Sequence, residues 1–114
     1  MEVDKKAKTF IENREIHWEN VAPGVRRKIM TWDTKLMLVK VDFEKGAIGT
    51  VHKHPHIQIT HLESGIFEVE IDGKKKILTT GDAFYVPSNV LHGVVCLEAG
   101  VLIDTFSPMR EDFI

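Results

Sequence analysis

Apolar and polar positions alternate with period two along much of the chain, in "KLMLVKV" (35 to 41), "IFEVEI" (66 to 71), "KKILT" (75 to 79), "AFYVP" (83 to 87) and "GVLIDTF" (100 to 106). Successive side chains of a strand point to opposite faces, and these stretches are rich in β-branched and aromatic residues, so the pattern predicts strands. Turn chemistry separates them at Pro23-Gly24, Ser64-Gly65, Asp72-Gly73 and Ala99-Gly100. The Asp-Gly pair between "FEVEI" and "KKKIL" predicts a two-residue hairpin, and hence antiparallel pairing. A further strand, "HGVVCLE", is expected from His92 onward, after a bend at Pro87 and Asn89. A short helix is expected over roughly residues 4 to 13, where Ala7, Phe10 and Ile11 share a face. Many short strands with regular turns and almost no helix define an all-β chain, a sandwich or small barrel whose interior holds side chains or one small ligand.

Composition narrows the function classes. The 114 residues are expected to form one domain, 1–114, and 43% apolar residues suffice for its core. Lys plus Arg number 15 against 17 Asp plus Glu, a formal charge of -2 with no basic block, so nucleic acid and anionic membrane surfaces are not expected partners. No apolar run reaches the roughly 18 residues of a membrane span, and a cytoplasmic protein is expected. The single cysteine, Cys96, has no partner for an internal disulfide and is expected to serve as a small core residue.

The chemistry concentrates in "GTVHKHPHIQITH", where four of the six histidines, His52, His54, His56 and His61, fall within ten positions. Residues two apart on a strand share a face, so His52 and His54 project together and Lys53 faces away. A turn at Pro55 lets Gln58 face the same interior, and His92 is the candidate for a fourth group. Two imidazoles directed side by side at a core without partners cost free energy, which favours metal binding over two unrelated core histidines. Three neutral imidazoles and an amide oxygen suit one divalent first-row transition metal ion, Ni, Zn, Fe or Mn. His56, in the turn, and His61, of opposite parity to Gln58, are expected to support the site, line its rim or lie at the surface. His17 is expected to be structural or exposed.

These residues match a known pattern. "GAIGTVHKHPHIQITHLESG" resembles the first cupin motif, with Gly46, His52, His54, Gln58 and Gly65 in register, and "GDAFYVPSNVLHGVVC" resembles the second, with Gly81, Pro87 and His92. Asn89 and Cys96 replace that motif's customary glycine and asparagine. The resemblance implies a cupin jelly-roll barrel, or double-stranded β-helix, with metal ligands His52, His54, Gln58 and His92. Glutamine in place of the customary glutamate at 58 removes a negative charge, leaving more of the ion's positive charge for an anionic ligand.

From about residue 16 to the end, through "GVRRKIMTWDTKLMLVKVDFEKGAIGTVHKHPHIQIT" and "CLEAGVLIDTFSPMREDFI", the chain resembles the KdgF pectin-degradation cupins. That likeness implies a metal-dependent enzyme opening the ring of 4,5-unsaturated monouronates, released by pectin or alginate lyases, to the linear keto form. It also implies site roles for Asp104, Phe106 and Arg110. The pattern of the tail agrees, since Leu102, Asp104 and Phe106 share one strand face, and an acid on an apolar face requires a reason. A proton shuttle is one; a structural ion pair between Asp104 and Arg110 is the other. Arg110 is the candidate to hold a substrate carboxylate, and Phe106 to pack against the sugar. A non-catalytic sugar sensor and a metal-dependent dioxygenase are the rival functions. A homodimer is expected, because a small barrel has strand faces and edges that need covering.

Overall fold

The computed structural model describes residues 8–114. Ten strands follow one another: β1 (Glu19–Ala22), β2 (Val25–Trp32), β3 (Met37–Phe43), β4 (Ile48–His52), β5 (Ile57–Leu62), β6 (Ile66–Ile71), β7 (Lys74–Thr79), β8 (Ala83–Val86), β9 (His92–Glu98) and β10 (Gly100–Ser107). They form two antiparallel sheets, one of six strands in the order β1-β2-β3-β10-β5-β8 and one of four in the order β4-β9-β6-β7. This is the expected all-β jelly roll. Short 3₁₀ turns at Asn13–Glu15 and Glu111–Phe113 flank it. Among the described residues no helix is long and apolar enough to cross a membrane.

Period two is written into the burial of β5, where Gln58, Thr60 and Leu62 are buried and Ile57, Ile59 and His61 exposed. The β6–β7 hairpin turns at Asp72-Gly73 as expected. Both residues have positive φ (53° and 77°), the twist-matched geometry for which Asp-Gly is suited. β3 begins at Met37, two residues later than its alternation suggests, because the Asp33 carboxylate accepts hydrogen bonds from the backbone N–H of Lys35 and Leu36 and holds them in a turn. The expected N-terminal helix is not formed over residues 8–12, which are irregular; its residues 4–7 lie outside the described residues.

The core has two parts. In one, Phe43 and Phe67 meet edge to face at 5.3 Å among Val25, Leu62, Val69, Cys96 and Leu102, so Cys96 is the core residue expected. In the other, Met37 and Val39 pack with Phe106 and Met109. On the inner face of β10 the apolar Leu102 and Phe106 bracket Asp104, and on that of β5 the polar Gln58 and Thr60 precede Leu62; the functional groups occupy this short polar interval.

Candidate metal centre and pocket

β4 supplies His52 through an irregularity. It pairs with β9 as Ile48↔Val95 and Gly49↔Val94, then resumes one residue out of step at His52↔His92. Without the extra residue Val51 would stand opposite His92; the bulge substitutes an imidazole. Gly93 makes the bulge possible, because a Cβ there would lie 2.8 Å from the Gly49 carbonyl oxygen and 3.0 Å from the Val51 Cα. His54 lies beyond the end of β4 rather than on it, yet its ring still comes within 5.5 Å of His52 and 4.8 Å of His92. Its backbone oxygen is held by the N–H of Asn89 at 2.8 Å. Asn89 has φ 60°, a left-handed conformation in which asparagine is the common substitute for the glycine customary in the motif.

The ligand atoms of His52, His54 and His92 all lie within 4.8 Å of one another. Each ring has its tautomer set by a backbone carbonyl, which can only accept. Nδ1–H of His52 donates to the Thr50 oxygen at 2.7 Å, that of His54 to the His56 oxygen at 2.9 Å and that of His92 to the Val90 oxygen at 2.9 Å. The three Nε2 atoms therefore face one another as lone pairs, the state a metal ion requires. Burial lowers the pKa of His54, assisted by the nearby Arg110 charge, and lowers that of His92 to about 4, so both rings are neutral at pH 7.

Gln58 lies beside these imidazoles. Its Oε1 lies 3.1 Å from His54 Nε2, and its Nε2 donates to Thr60 Oγ1 at 2.9 Å. The Thr60 hydroxyl donates in turn to Asp104 Oδ1 at 2.6 Å. With His54 Nδ1 already donating, an imidazole lone pair faces an amide oxygen, an arrangement of two acceptors that a cation between them reconciles. The donor set thus fits a divalent transition metal by its own hydrogen bonding.

Asp104 faces inward from β10, opposite Val39 and Thr60, as its strand parity requires. Burial raises its carboxyl to about 6 against the opposing influence of the Thr60 hydrogen bond and the Arg110 charge. The ion pair weighed for Asp104 and Arg110 is not formed: the Arg110 guanidinium pairs with Asp112 instead, Nε to Oδ1 at 3.0 Å and Nη2 to Oδ2 at 2.9 Å. Among the described residues only one edge of the guanidinium is used, and three of its five N–H donors remain. Phe106 is buried, with its ring 5.8 Å from that of His54 and 5.0 Å from the guanidinium carbon of Arg110. His52, Gln58, His92, Asp104, Phe106 and Arg110 border a common cavity of about 280 Å³.

Two contributors, Arg27 and Phe113, escaped the sequence reading, whereas His56 supports the site as one of its expected roles. Arg27, on the inner face of β2, borders the same cavity, paired with Glu19 at 2.6 Å and stacked over Phe113 at 3.8 Å. Phe113 carries Arg110 on its ring as well, at 4.3 Å. Its position near the end of a polar tail gave no signal of this. His56 is buried, contacting Glu111 at 3.3 Å and lending its carbonyl to His54, while its Nδ1 has no hydrogen-bond partner among the described residues. His61 and His17 are exposed.

A two-sheet jelly roll with three histidines converging near its cavity defines a cupin, and residues 39–106 match the Cupin domain family (Cupin_2). The pectin degradation protein KdgF of Dickeya dadantii (strain 3937) is 56% identical over 107 residues, 92% of this chain and 96% of the relative. Among solved structures, KdgF from Halomonas sp. superposes with a TM-score of 0.90 at 45% identity, covering 93% of this chain and 98% of that one. An RmlC-like cupin from Shewanella frigidimarina NCIMB 400 gives a TM-score of 0.93 at 44% identity, covering 96% and 99%. The chain belongs to the cupin family and, within it, to the KdgF pectin-degradation proteins.

Proposed function

We infer that this protein is a metal-dependent enzyme that opens the ring of 4,5-unsaturated monouronates to the linear keto form, with His52, His54, His92 and Gln58 as metal ligands and Asp104, Arg110 and Phe106 acting on the substrate. The observation that carries this reading is the juxtaposition of a convergent acceptor cluster, a carboxyl titrating near neutrality and a guanidinium with a free edge around one cavity. The KdgF relatives, named for pectin degradation, supply the substrate class. One bound divalent ion, Ni, Zn, Fe or Mn, would supply Lewis acidity toward a substrate oxygen.

The chain's own groups account for positioning and proton transfer. The free edge of Arg110 offers two parallel N–H donors to the uronate carboxylate. Phe106 supplies an apolar wall. Asp104 accepts the proton of the C1 hydroxyl as the bond from C1 to the ring oxygen breaks and C1 becomes an aldehyde. It then delivers a proton to C4 while C5 becomes a ketone, so the conversion is a net isomerisation and Asp104 ends as it began. The cytoplasm as compartment and a homodimer as assembly belong to the same proposal. The row Leu38, Thr105, Ile59 and Tyr85 runs across the outer face of the larger sheet, with Ile59 56% and Tyr85 53% exposed, and supports pairing of two such faces.

Incubation with the unsaturated monouronate from a pectin or alginate lyase tests the activity. Absorbance of the double bond conjugated to the carboxylate is expected to disappear well above the spontaneous rate, and to do so without oxygen uptake. A metal-loaded protein that leaves the spontaneous rate unchanged would refute the reading and favour a sugar-binding role.

A further inference from the structure

Thr60 is fully buried on β5, two residues from Gln58 and directly across the ladder from Asp104. A hydroxyl has one proton and two lone pairs. The proton is committed to the carboxylate of Asp104, which as an anion can only accept, so Thr60 can meet Gln58 only as an acceptor. The Gln58 amide must then turn its NH₂ toward Thr60 and its oxygen toward His54. Turned the other way, Gln58 would present an oxygen to Thr60, and one proton would have to serve two acceptors. The same count accounts for glutamine at a position where the cupin motif customarily has glutamate. Two carboxylates on one buried hydroxyl would leave one of them without a donor, at the cost of an unsatisfied buried charge.

We propose that Thr60 is a positioning residue of the site: its hydroxyl fixes the Gln58 oxygen as the metal-facing atom and holds Asp104 in place, which makes glutamine, Thr60 and Asp104 a matched set. The proposal rests on the reading of Gln58 as ligand and Asp104 as proton carrier. It assigns Thr60 no contact with substrate.

The test compares Thr60→Val, which keeps the shape and removes the hydroxyl, with Thr60→Ser, which keeps the hydroxyl. Each full-length protein is stripped of metal and titrated with Ni(II), and kcat and KM are measured on the metal-loaded protein with an unsaturated monouronate. Thr60→Val is expected to weaken Ni(II) binding by about 10 to 100-fold, the usual cost of losing an orienting partner, and to lower kcat at least about tenfold with KM little changed. Thr60→Ser is expected to restore both to within a few-fold of wild type. A folded Thr60→Val with wild-type Ni(II) affinity and kcat overturns the proposal, and so does a Thr60→Ser as damaged as Thr60→Val, which would make the methyl rather than the hydroxyl responsible. Wild-type protein that binds no Ni(II) overturns the metal-site reading itself and the proposal with it. Should Thr60→Val not fold, Gln58→Glu applies the same proton count. It is expected to retain Ni(II) while losing at least about tenfold in kcat, and wild-type kcat in that variant overturns the proposal.

Discussion

Asp104→Asn separates a functional carboxylate from a structural one, because the structure predicts opposite signs for activity and stability. Burial carries the Asp104 carboxyl from 3.8 to about 6. The folded value lies above the unfolded one, so the group's favourable contribution is complete below pH 3.8 and is lost as pH rises through about 6. At pH 7 the ionised carboxylate therefore costs stability on the order of 1 to 3 kcal/mol; the upper figure is the whole shift and the lower allows for solvent at the pocket mouth. Asparagine carries no charge, and its Oδ1 still accepts the Thr60 hydroxyl proton. The metal-stripped variant should melt several degrees above wild type at pH 7, taking about 3 to 6 °C per kcal/mol for a domain of this size, with the difference shrinking toward pH 4. Turnover should fall by about 100 to 10,000-fold, the usual cost of a missing general acid or base. Since the ionised form takes the first proton, wild-type kcat/KM should itself fall about tenfold per pH unit below about 6. Melting temperature from pH 4 to 7, bound metal and turnover on the same preparations decide the matter. An Asn variant that melts lower at pH 7 yet turns over near the wild-type rate would refute the reasoning and make Asp104 a structural group.

Elemental analysis of untreated protein should find about one divalent transition metal ion per chain, and His52→Ala should lose metal and activity together. Arg110→Ala should raise KM about 10 to 100-fold with a smaller effect on kcat, the magnitude expected for charge-assisted hydrogen bonds worth about 1.5 to 3 kcal/mol; saturation kinetics check it, and Lys at 110 should recover only part of the loss. Light scattering at micromolar concentration should give the mass of two chains, and Ile59→Lys, on the exposed face of the larger sheet, should shift the population to monomer.

What was legible in the sequence is what depends on spacing alone. Strand parity placed Gln58, Asp104 and Phe106 on inner faces and His61 on the outer one, and the Asp72-Gly73 pair fixed a hairpin, because each follows from local backbone geometry. β2 was harder to read. Its "VRRKIMTW" alternates poorly, since three basic residues interrupt it and a register shift between Ile29 and Thr31 breaks the period. That irregularity hid Arg27. The reading of His52 and His54 as one strand face reached the right convergence by an incomplete route: β4 ends at His52, and the bulge opposite Gly93 aims that ring. Period-two reasoning has no signal for an inserted residue. The contacts of Glu111 with His56 and of Phe113 with Arg27 join positions far apart in the chain, and no local pattern announces them.

The contact between His54 and Gln58 is a local conflict placed where the function is inferred. His54 Nε2 and Gln58 Oε1 face each other as acceptors, and the orientation of each is imposed by a partner elsewhere, the His56 carbonyl for the imidazole and Thr60 for the amide. Neither can turn without breaking a buried hydrogen bond. Relaxed packing would avoid such a contact, so its presence marks a place shaped for something other than stability. A cation would remove the conflict, and one held by three neutral imidazoles and a neutral amide would keep its charge. Arg27 and Arg110, both stacked on Phe113 and each paired with an exposed carboxylate, bring positive charge to the same cavity, while Asp104 supplies the negative charge among the residues named at its wall. A small anion that can exchange a proton with Asp104 is the ligand such an arrangement would suit, and the proposed unsaturated uronate would meet both conditions with its carboxylate and its C1 hydroxyl.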